Sequence, residues 1–369
     1  MVTLTSRRRK RLSSLLKPSR HQAMPNKPSD RDASAPRVRA GAGATMREVA
    51  ALAGVSTMTV SRALSTPGKV DKETLEKVRR AVEKTSYVPN MVAGGLKSRN
   101  SRLVAAVVPT LISPVFNETV QSLTETFNAA GYQLILGQSG YEDSCEGQLV
   151  DALIARRPAG IVLTGVVHAD DVGRKLIGSG IPVVETWDLT ATPIDSLVGF
   201  SHEDAARSVC RLLHQRGRRT LAVLAGDDAR ARRRTAAFVA AALEAGLRAP
   251  RVHEVPAPAT LGSGRSGLRS LVARDADLDG LFCSSDLLAL GVITEANAMG
   301  LAIPRRLSLV GFGDLSFARD LEPALTTVRI DGTRIGQEAA RCIVDRAQNA
   351  AAAARRIDVG FSIVERASA

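Results

Sequence analysis

The run from Thr45 to Asn100, TMREVAALAGVSTMTVSRALSTPGKVDKETLEKVRRAVEKTSYVPNMVAGGLKSRN, constrains the chain more than any other stretch. Thr45 and Glu48 have the spacing of a capping box, which predicts a helix starting at Met46 or Arg47. Val49, Leu52 and Ala53 then fall at the spacing of one apolar helical face. Gly54 ends that helix, because glycine takes the left-handed conformation that turns a chain. Ser56 caps a second predicted helix, Thr57 to Leu64, with Val60, Ala63 and Leu64 inward. Asp71 caps a third, which carries Leu75, Val78, Val82 and Tyr87 towards the first two. Helix, glycine turn, helix is the arrangement that presents a second helix to the DNA major groove.

A small three-helix packing domain would show the same apolar pattern, so the polar face has to decide. The second helix exposes Thr57, Met58, Ser61 and Arg62, and basic residues flank the unit. The chain carries a formal net charge of +13, of which residues 1–44 hold +9 and residues 45–102 hold +6, leaving −2 for the remainder. Such asymmetry points to a nucleic-acid partner at one end only.

The text AxxAGVSxxTVSRxL at Ala50–Leu64, the pattern Val70–Asn90 and the tether Ala93–Lys97 closely resemble the DNA-binding head of the LacI/GalR family of bacterial transcription repressors. The resemblance implies that Thr57, Met58 and Arg62 read bases, with Arg62 able to fork onto a guanine. Ser56, Thr59 and Ser61 would touch phosphates or cap, positioning the head. It adds Asn90, Leu96 and Lys97 as DNA contacts, two hinge helices pairing in the minor groove with Leu96 wedged into a base step. Pro89 biases Val88 away from helical angles and closes the head. A helix over Met91–Lys97 is short, and Gly94 and Gly95 each cost it about 1 kcal/mol. The tether is therefore expected to fold only on DNA, a plain flexible linker being the alternative.

The expected domains are a basic extension (1–44), the helix-turn-helix head (45–90), a hinge helix and linker (91–101), and a large α/β domain (102–369). The extension holds RRRKR at 7–11 and several prolines and serines, too few apolar residues for a core, and reads as disordered. Translation from an internal methionine such as Met24 is the alternative. Neither a secretion signal nor a membrane span is evident, so a cytoplasmic location is expected. Cys145, Cys210, Cys283 and Cys342 are scattered, which predicts four buried thiols rather than disulfides or a zinc site.

Beyond Arg102, short apolar runs alternate with helical segments: Leu103–Val108, Gln133–Leu136, Ile161–Leu163, Pro182–Val184, Leu197–Phe200, Leu221–Leu224, Gly280–Phe282 and Leu307–Val310. Near-continuous apolar strands between helices predict parallel sheets covered on both faces. Arg102–Asp195 and Ser201–Thr326 would each make one doubly wound subdomain. This resembles the periplasmic-binding-protein-like effector domain of the same family, whose chain crosses between halves three times. The crossings are expected near Phe200–Ser201, near Thr326–Val328 and after Ala350, with Arg334–Ala347 a helix returning to the first half.

Ligands of open α/β sheets sit at the carboxyl ends of the strands. There the resemblance places Ser113, Phe116, Trp187, Arg234 and Asp286 as effector-binding residues. It also implies Asp314, although Gly311-Phe312-Gly313-Asp314 puts glycine where relatives carry the usual first acid. The pattern GFGDLSFA…PALTTVRIDGTRIG, with VVETWDLT and VGFSHED, looks most like the gluconate-type repressors of the family. Arginines at 230 and 232–234 would suit a sugar acid, since guanidinium forks pair with carboxylates. A solvated surface loop is the other reading of that arginine run.

No enzyme signature survives its context. Gly262–Gly267 fits GxGxxG, but a proline-containing loop precedes it, not a strand. A GxSxG elbow, a P-loop and HExxH are missing. His202-Glu203-Asp204 reads as capping and surface charge at a helix start. The expectation is a regulator without cofactor or metal, binding double-stranded operator DNA and a small sugar or sugar acid. A homodimer is expected, since no leucine heptad follows Gly360–Val364. A sugar-binding protein or sugar-metabolising enzyme of the same bilobed class is the alternative.

Overall fold

The computed structural model describes residues 44–88, 101–140 and 143–369. The expected extension, apart from Ala44, and the tether with Asn90, Leu96 and Lys97 lie outside the described residues. The described chain falls into two compact units that divide between Pro89 and Asn90.

The first unit is three helices, α1 (Met46–Ala53), α2 (Thr57–Ser65) and α3 (Lys72–Thr85). The capping box forms in full: the Thr45 backbone N–H donates to Glu48 Oε2 at 2.7 Å, and Glu48 N–H returns to the Thr45 hydroxyl at 3.4 Å. Gly54 closes α1 at φ +67°. Val49, Ala50, Ala53, Val60, Ala63, Val78, Ala81 and Tyr87 make the core. Leu52 is a correction: it is half exposed, and Ala50 takes the inward place. With α1 only eight residues long and packed on both other helices, its buried stripe follows Val49, Ala50 and Ala53.

The second unit holds two six-stranded sheets. The first has the order β11-β5-β4-β3-β1-β2, built from β1 (Leu103–Val108), β2 (Gln133–Gln138), β3 (Gly160–Thr164), β4 (Val183–Thr186), β5 (Ser196–Gly199) and β11 (Arg356–Asp358). The second has the order β12-β10-β9-β8-β6-β7, from β6 (Leu221–Gly226), β7 (Arg251–Val255), β8 (Gly280–Cys283), β9 (Ser308–Phe312), β10 (Thr326–Arg329) and β12 (Ser362–Val364). All neighbours pair parallel except β10 with β12. Strands β1 and β6 are buried almost end to end, as a sheet covered on both faces requires.

The covering helices are α4 (Asn117–Ala129), α5 (Asp143–Ile154), α6 (Asp170–Ser179), α7 (His202–Gln215), α8 (Ala229–Glu244), α9 (Leu261–Arg274), α10 (Asp286–Ala298) and α11 (Gly332–Gln348). Helix α11 packs on α4 and on the first sheet, so the chain returns to the first lobe after β10. That shifts the second crossing: Thr326–Val328 is a strand of the second sheet, and the passage follows at Ile330–Asp331. The third lies between β11 and β12. Strand β7 went unread in the sequence because it is an edge strand, mostly exposed, carrying Arg251, His253 and Glu254. Cys210, Cys283 and Cys342 are buried, whereas Cys145 is exposed, correcting the expectation of four buried thiols.

The glycine-rich GxGxxG text lies within α9, where it serves helix packing. A Cβ on Gly264 would stand 2.3 Å from the Leu288 carbonyl oxygen and 2.9 Å from Gly291 Cα on α10. Backbone cannot yield as a side chain can, so the helices would have to part. G264A is expected to lose about 1–3 kcal/mol of stability in urea unfolding, despite the better helix propensity of alanine.

In the first lobe His168 lies between Glu146, 2.9 Å from Nδ1, and the buried Glu185, 3.5 Å from Nε2. Burial opposes a charge there, but the hydrogen bonds and charges of the two glutamates outweigh it and raise the His168 pKa to about 9. A raised folded-state value means the stabilisation is whole below about pH 6.5 and disappears as pH climbs through about 9. The ceiling is roughly 3 kcal/mol. Thermal unfolding of the wild type is expected to lose stability across that window, and H168N to lose much less.

Candidate functional site

On the head, α2 presents Thr57, Met58, Ser61 and Arg62 as exposed side chains, with Met58 70 % exposed. Val60 and Ala63 hold the opposite face in the core. Ser56 is occupied by the helix itself. Its hydroxyl accepts from the Thr59 backbone N–H at 3.1 Å and lies 2.9 Å from the Thr59 hydroxyl. The cap fixes where the polar face begins, and that face offers a forked cation, two hydroxyls and a thioether.

In the second unit a cleft opens where the strands of both sheets end. The first lobe lines it with Ser113 and Val115 after β1, Phe116, and Trp187 after β4. The second lobe supplies His202, Asp228, Arg230 and Arg234, with Ser284 after β8 and Phe312 at the end of β9. The floor is aromatic: Trp187 meets Phe116 edge-on at 5.1 Å and Phe200 at 6.1 Å. Trp187 has φ +67°, a backbone state that costs a bulky side chain about 1 kcal/mol or more. Its indole N–H donates to the Thr119 hydroxyl at 3.1 Å.

Arginines form the opposite wall, and they sit on a helix rather than in the solvated loop that is the other reading of the run. Asp228 caps α8, its carboxylate accepting from the Ala231 N–H at 3.0 Å, so the run from Arg230 to Arg234 occupies the first turns. The helical course sends the side chains different ways. Arg230 lies over the Phe116 ring at 5.3 Å and donates to the Thr164 carbonyl at 3.3 Å, both in the first lobe. Arg233 bridges Asp188 at 2.6 Å and Glu203 at 2.7 Å. Arg234 is buried, stacks on Phe312 at 4.2 Å, and donates to the Ser284 carbonyl at 3.2 Å and to His202 Nδ1 at 3.0 Å.

His202 corrects the reading of HisGluAsp as surface charge, for it is 1 % exposed. An arginine only donates, so Nδ1 must accept, which puts the imidazole proton on Nε2. That N–H points at the Trp187 carbonyl, 2.9 Å away. Burial first, then the charges of Arg234, Arg230 and Arg233, hold the His202 pKa well below its ordinary value. The ring is neutral at physiological pH. Asp188 is pushed the other way, upward, by burial, against the pull of Arg233.

Two acids named from the sequence stand off the wall. Asp286 is fully buried, and its oxygens accept from the Thr327 hydroxyl at 2.6 Å and the Leu315 N–H at 2.7 Å. Burial raises its pKa to about 6 against those bonds. It therefore props the loop after β9, and Ser284, Ser285 and Leu287 border the cleft in its place. Asp314 turns its carboxylate to Arg366 at 2.7 Å and Arg329 at 3.2 Å, away from the cleft lining.

Residues 45–90 match the family model described as bacterial regulatory proteins, lacI family, and residues 210–369 match that of the periplasmic binding protein-like domain. The HTH-type transcriptional regulator GntR of Pseudomonas aeruginosa is 32 % identical over 326 residues, 88 % of this chain and 95 % of that protein. The chain belongs to the LacI family. A LacI-family regulator from Silicibacter pomeroyi has a solved structure with TM-score 0.83 and 30 % identity, covering 88 % of this chain and 99 % of that one. The solved GntR of Chromobacterium violaceum gives TM-score 0.69 and 35 % identity over 72 % of this chain and 98 % of its own. This LacI-family chain is thus a DNA-binding transcriptional regulator rather than an enzyme. Among the described residues no helix is long and apolar enough to cross a membrane, and no group of three metal-ligating side chains occurs.

The structure brings Ser113, Phe116, Trp187 and Arg234 to one cleft and leaves Asp286 and Asp314 behind it. Sequence reasoning missed His202 and Ser284 as lining residues, while of the arginines it offered at 230 and 232–234 the cleft takes Arg230 and Arg234. Ser284 stood in the text as the residue after an apolar strand, a signal that could have found it. His202 had no such signal, since it becomes a wall residue only when α7 meets the first lobe.

Proposed function

We propose that this regulator is a repressor that binds its operator as a homodimer and changes its grip when a small sugar acid, D-gluconate or a related aldonate, fills the cleft. The observation that carries the ligand class is the make-up of the wall: among the described residues the guanidiniums of Arg230 and Arg234 and the carboxylate of Asp228 stand beside the aromatic floor of Phe116 and Trp187. Guanidinium forks suit a carboxylate, and serines at the strand ends suit hydroxyls. Arg233 is held instead by Asp188 and Glu203.

At the DNA end the reading rests on the exposed face of α2. Arg62 forks onto a guanine, Thr57 and Met58 contact neighbouring base edges, and Ser56, Thr59 and Ser61 hold phosphates or cap. Asn90, Leu96 and Lys97 extend the contact into the minor groove. A two-fold dimer calls for a near-palindromic operator. The effector acts by differential affinity for two lobe arrangements, with coupling of about 1–3 kcal/mol per site.

The test is a gel shift with DNA from upstream of the chain's own gene, with and without D-gluconate, ribose, galactose and purines. A shift abolished by D-gluconate alone is the expected result; a shift indifferent to every acid sinks the ligand assignment. R62A should cost about 1–3 kcal/mol of discrimination at one base pair of each half-site. Equal binding of R62A to operator and scrambled DNA in the same ratio as wild type would remove Arg62 from the base-reading set.

A further inference from the structure

Trp187 is the chain's only tryptophan, and three hydrogen bonds hold its left-handed turn. Two come from the first lobe: its own N–H donates to the Val198 carbonyl at 3.2 Å, and its indole N–H donates to Thr119. The Thr119 hydroxyl in turn donates to the Gly332 carbonyl at 2.9 Å, at the start of α11 just past the second crossing. The third comes from the second lobe, where His202 Nε2–H donates to the Trp187 carbonyl. On the far side of the same ring, Nδ1 accepts from Arg234, whose guanidinium is also seated on Phe312 and the Ser284 carbonyl. A continuous line therefore runs from the ends of β8 and β9 through Arg234 and His202 to the end of β4.

We propose that His202 is a positioning residue that ties the orientation of the cleft arginine, Arg234, to the Trp187 turn of the opposite lobe. An imidazole is suited to this place because it offers one acceptor and one donor on a single rigid ring without adding charge beside three arginines. Edge-on packing against Phe200 at 4.5 Å and a tilted contact with Phe312 at 6.1 Å stop the ring from swinging. Any ligand group that takes hold of Arg234 must then act on the Trp187 carbonyl through that ring. The inference rests on the reading that the effector meets the Arg234 wall.

Trp187 emission of the full chain reads the link without a ligand. R234M is expected to shift the emission in the wild-type background and to add no shift in an H202F background. H202F keeps an aromatic ring but removes both hydrogen bonds. H202Q, which offers a donor and an acceptor at similar spacing, is expected to restore both the wild-type emission and the response to R234M. Equal R234M shifts in the wild-type and H202F backgrounds overturn the proposal. If H202F does not fold, ¹⁵N imidazole resonances of the wild type decide, assigned by their loss in H202Q. A protonated Nε2 and bare Nδ1 at neutral pH support the link, and the opposite tautomer or an imidazolium refutes it.

A second arm adds D-gluconate. Binding to the wild type is expected to change Trp187 emission, and H202Q is expected to bind within a few-fold of wild type. H202F should bind about tenfold more weakly and lose the emission change. Binding seen by calorimetry without an emission change in the wild type counts against the link. No binding to the wild type by calorimetry defeats the assignment of the effector, while the variant cycle still decides the role of His202.

Discussion

Parallel strands laid side by side all end on the same edge, and everything chemical in the large unit hangs from that edge. Trp187 follows β4, Ser284 follows β8, and Phe312 closes β9, so residues up to 125 positions apart face one space. The edge is fixed by burial. Strands such as β1 and β6 cannot slide or turn over without exposing a continuous apolar run, so the residues after them are held at the mouth of the sheet. Three passages of chain between the lobes then bring two such edges opposite each other.

The polar groups on that edge are arranged by mutual compensation. Four arginines within five residues would repel one another if left together. The turn of α8 separates them, sending Arg230 onto Phe116 and Thr164, Arg233 onto Asp188 and Glu203, and Arg234 under the cleft onto Phe312. A neutral His202 among them adds hydrogen bonds without adding charge. Buried charge persists only where it is paired or hydrogen-bonded, and each of these groups meets that condition through a residue distant in sequence.

How much of this was legible varies with the range of the cause. The head was read nearly whole, because caps and turns act within three or four residues: Thr45 with Glu48, Gly54, and Ser56 with Thr59. Leu52 escaped because a short helix touching two partners buries a stripe that its own periodicity does not specify. The apolar strands were visible as runs, while β7, exposed at a sheet edge, was not. Likeness to known repressors named Trp187 and Arg234, which line the cleft, and Asp286 and Asp314, which do not. Their carboxylates are captured by Thr327, Leu315, Arg366 and Arg329, partners that no local pattern announces.

The amino-acid sequence alone determined a three-helix DNA-reading head joined to a bilobed α/β domain, since helix caps, glycine turns and alternating apolar runs are written locally. Only the tertiary structure decided which side chains share the cleft. Arg230 and Arg233 follow from the phase of α8, and the protonation state of His202 follows from Arg234 lying against it. Each depends on two elements distant in sequence meeting in the folded chain, and the free energy of such a contact belongs to the pair rather than to either stretch of sequence.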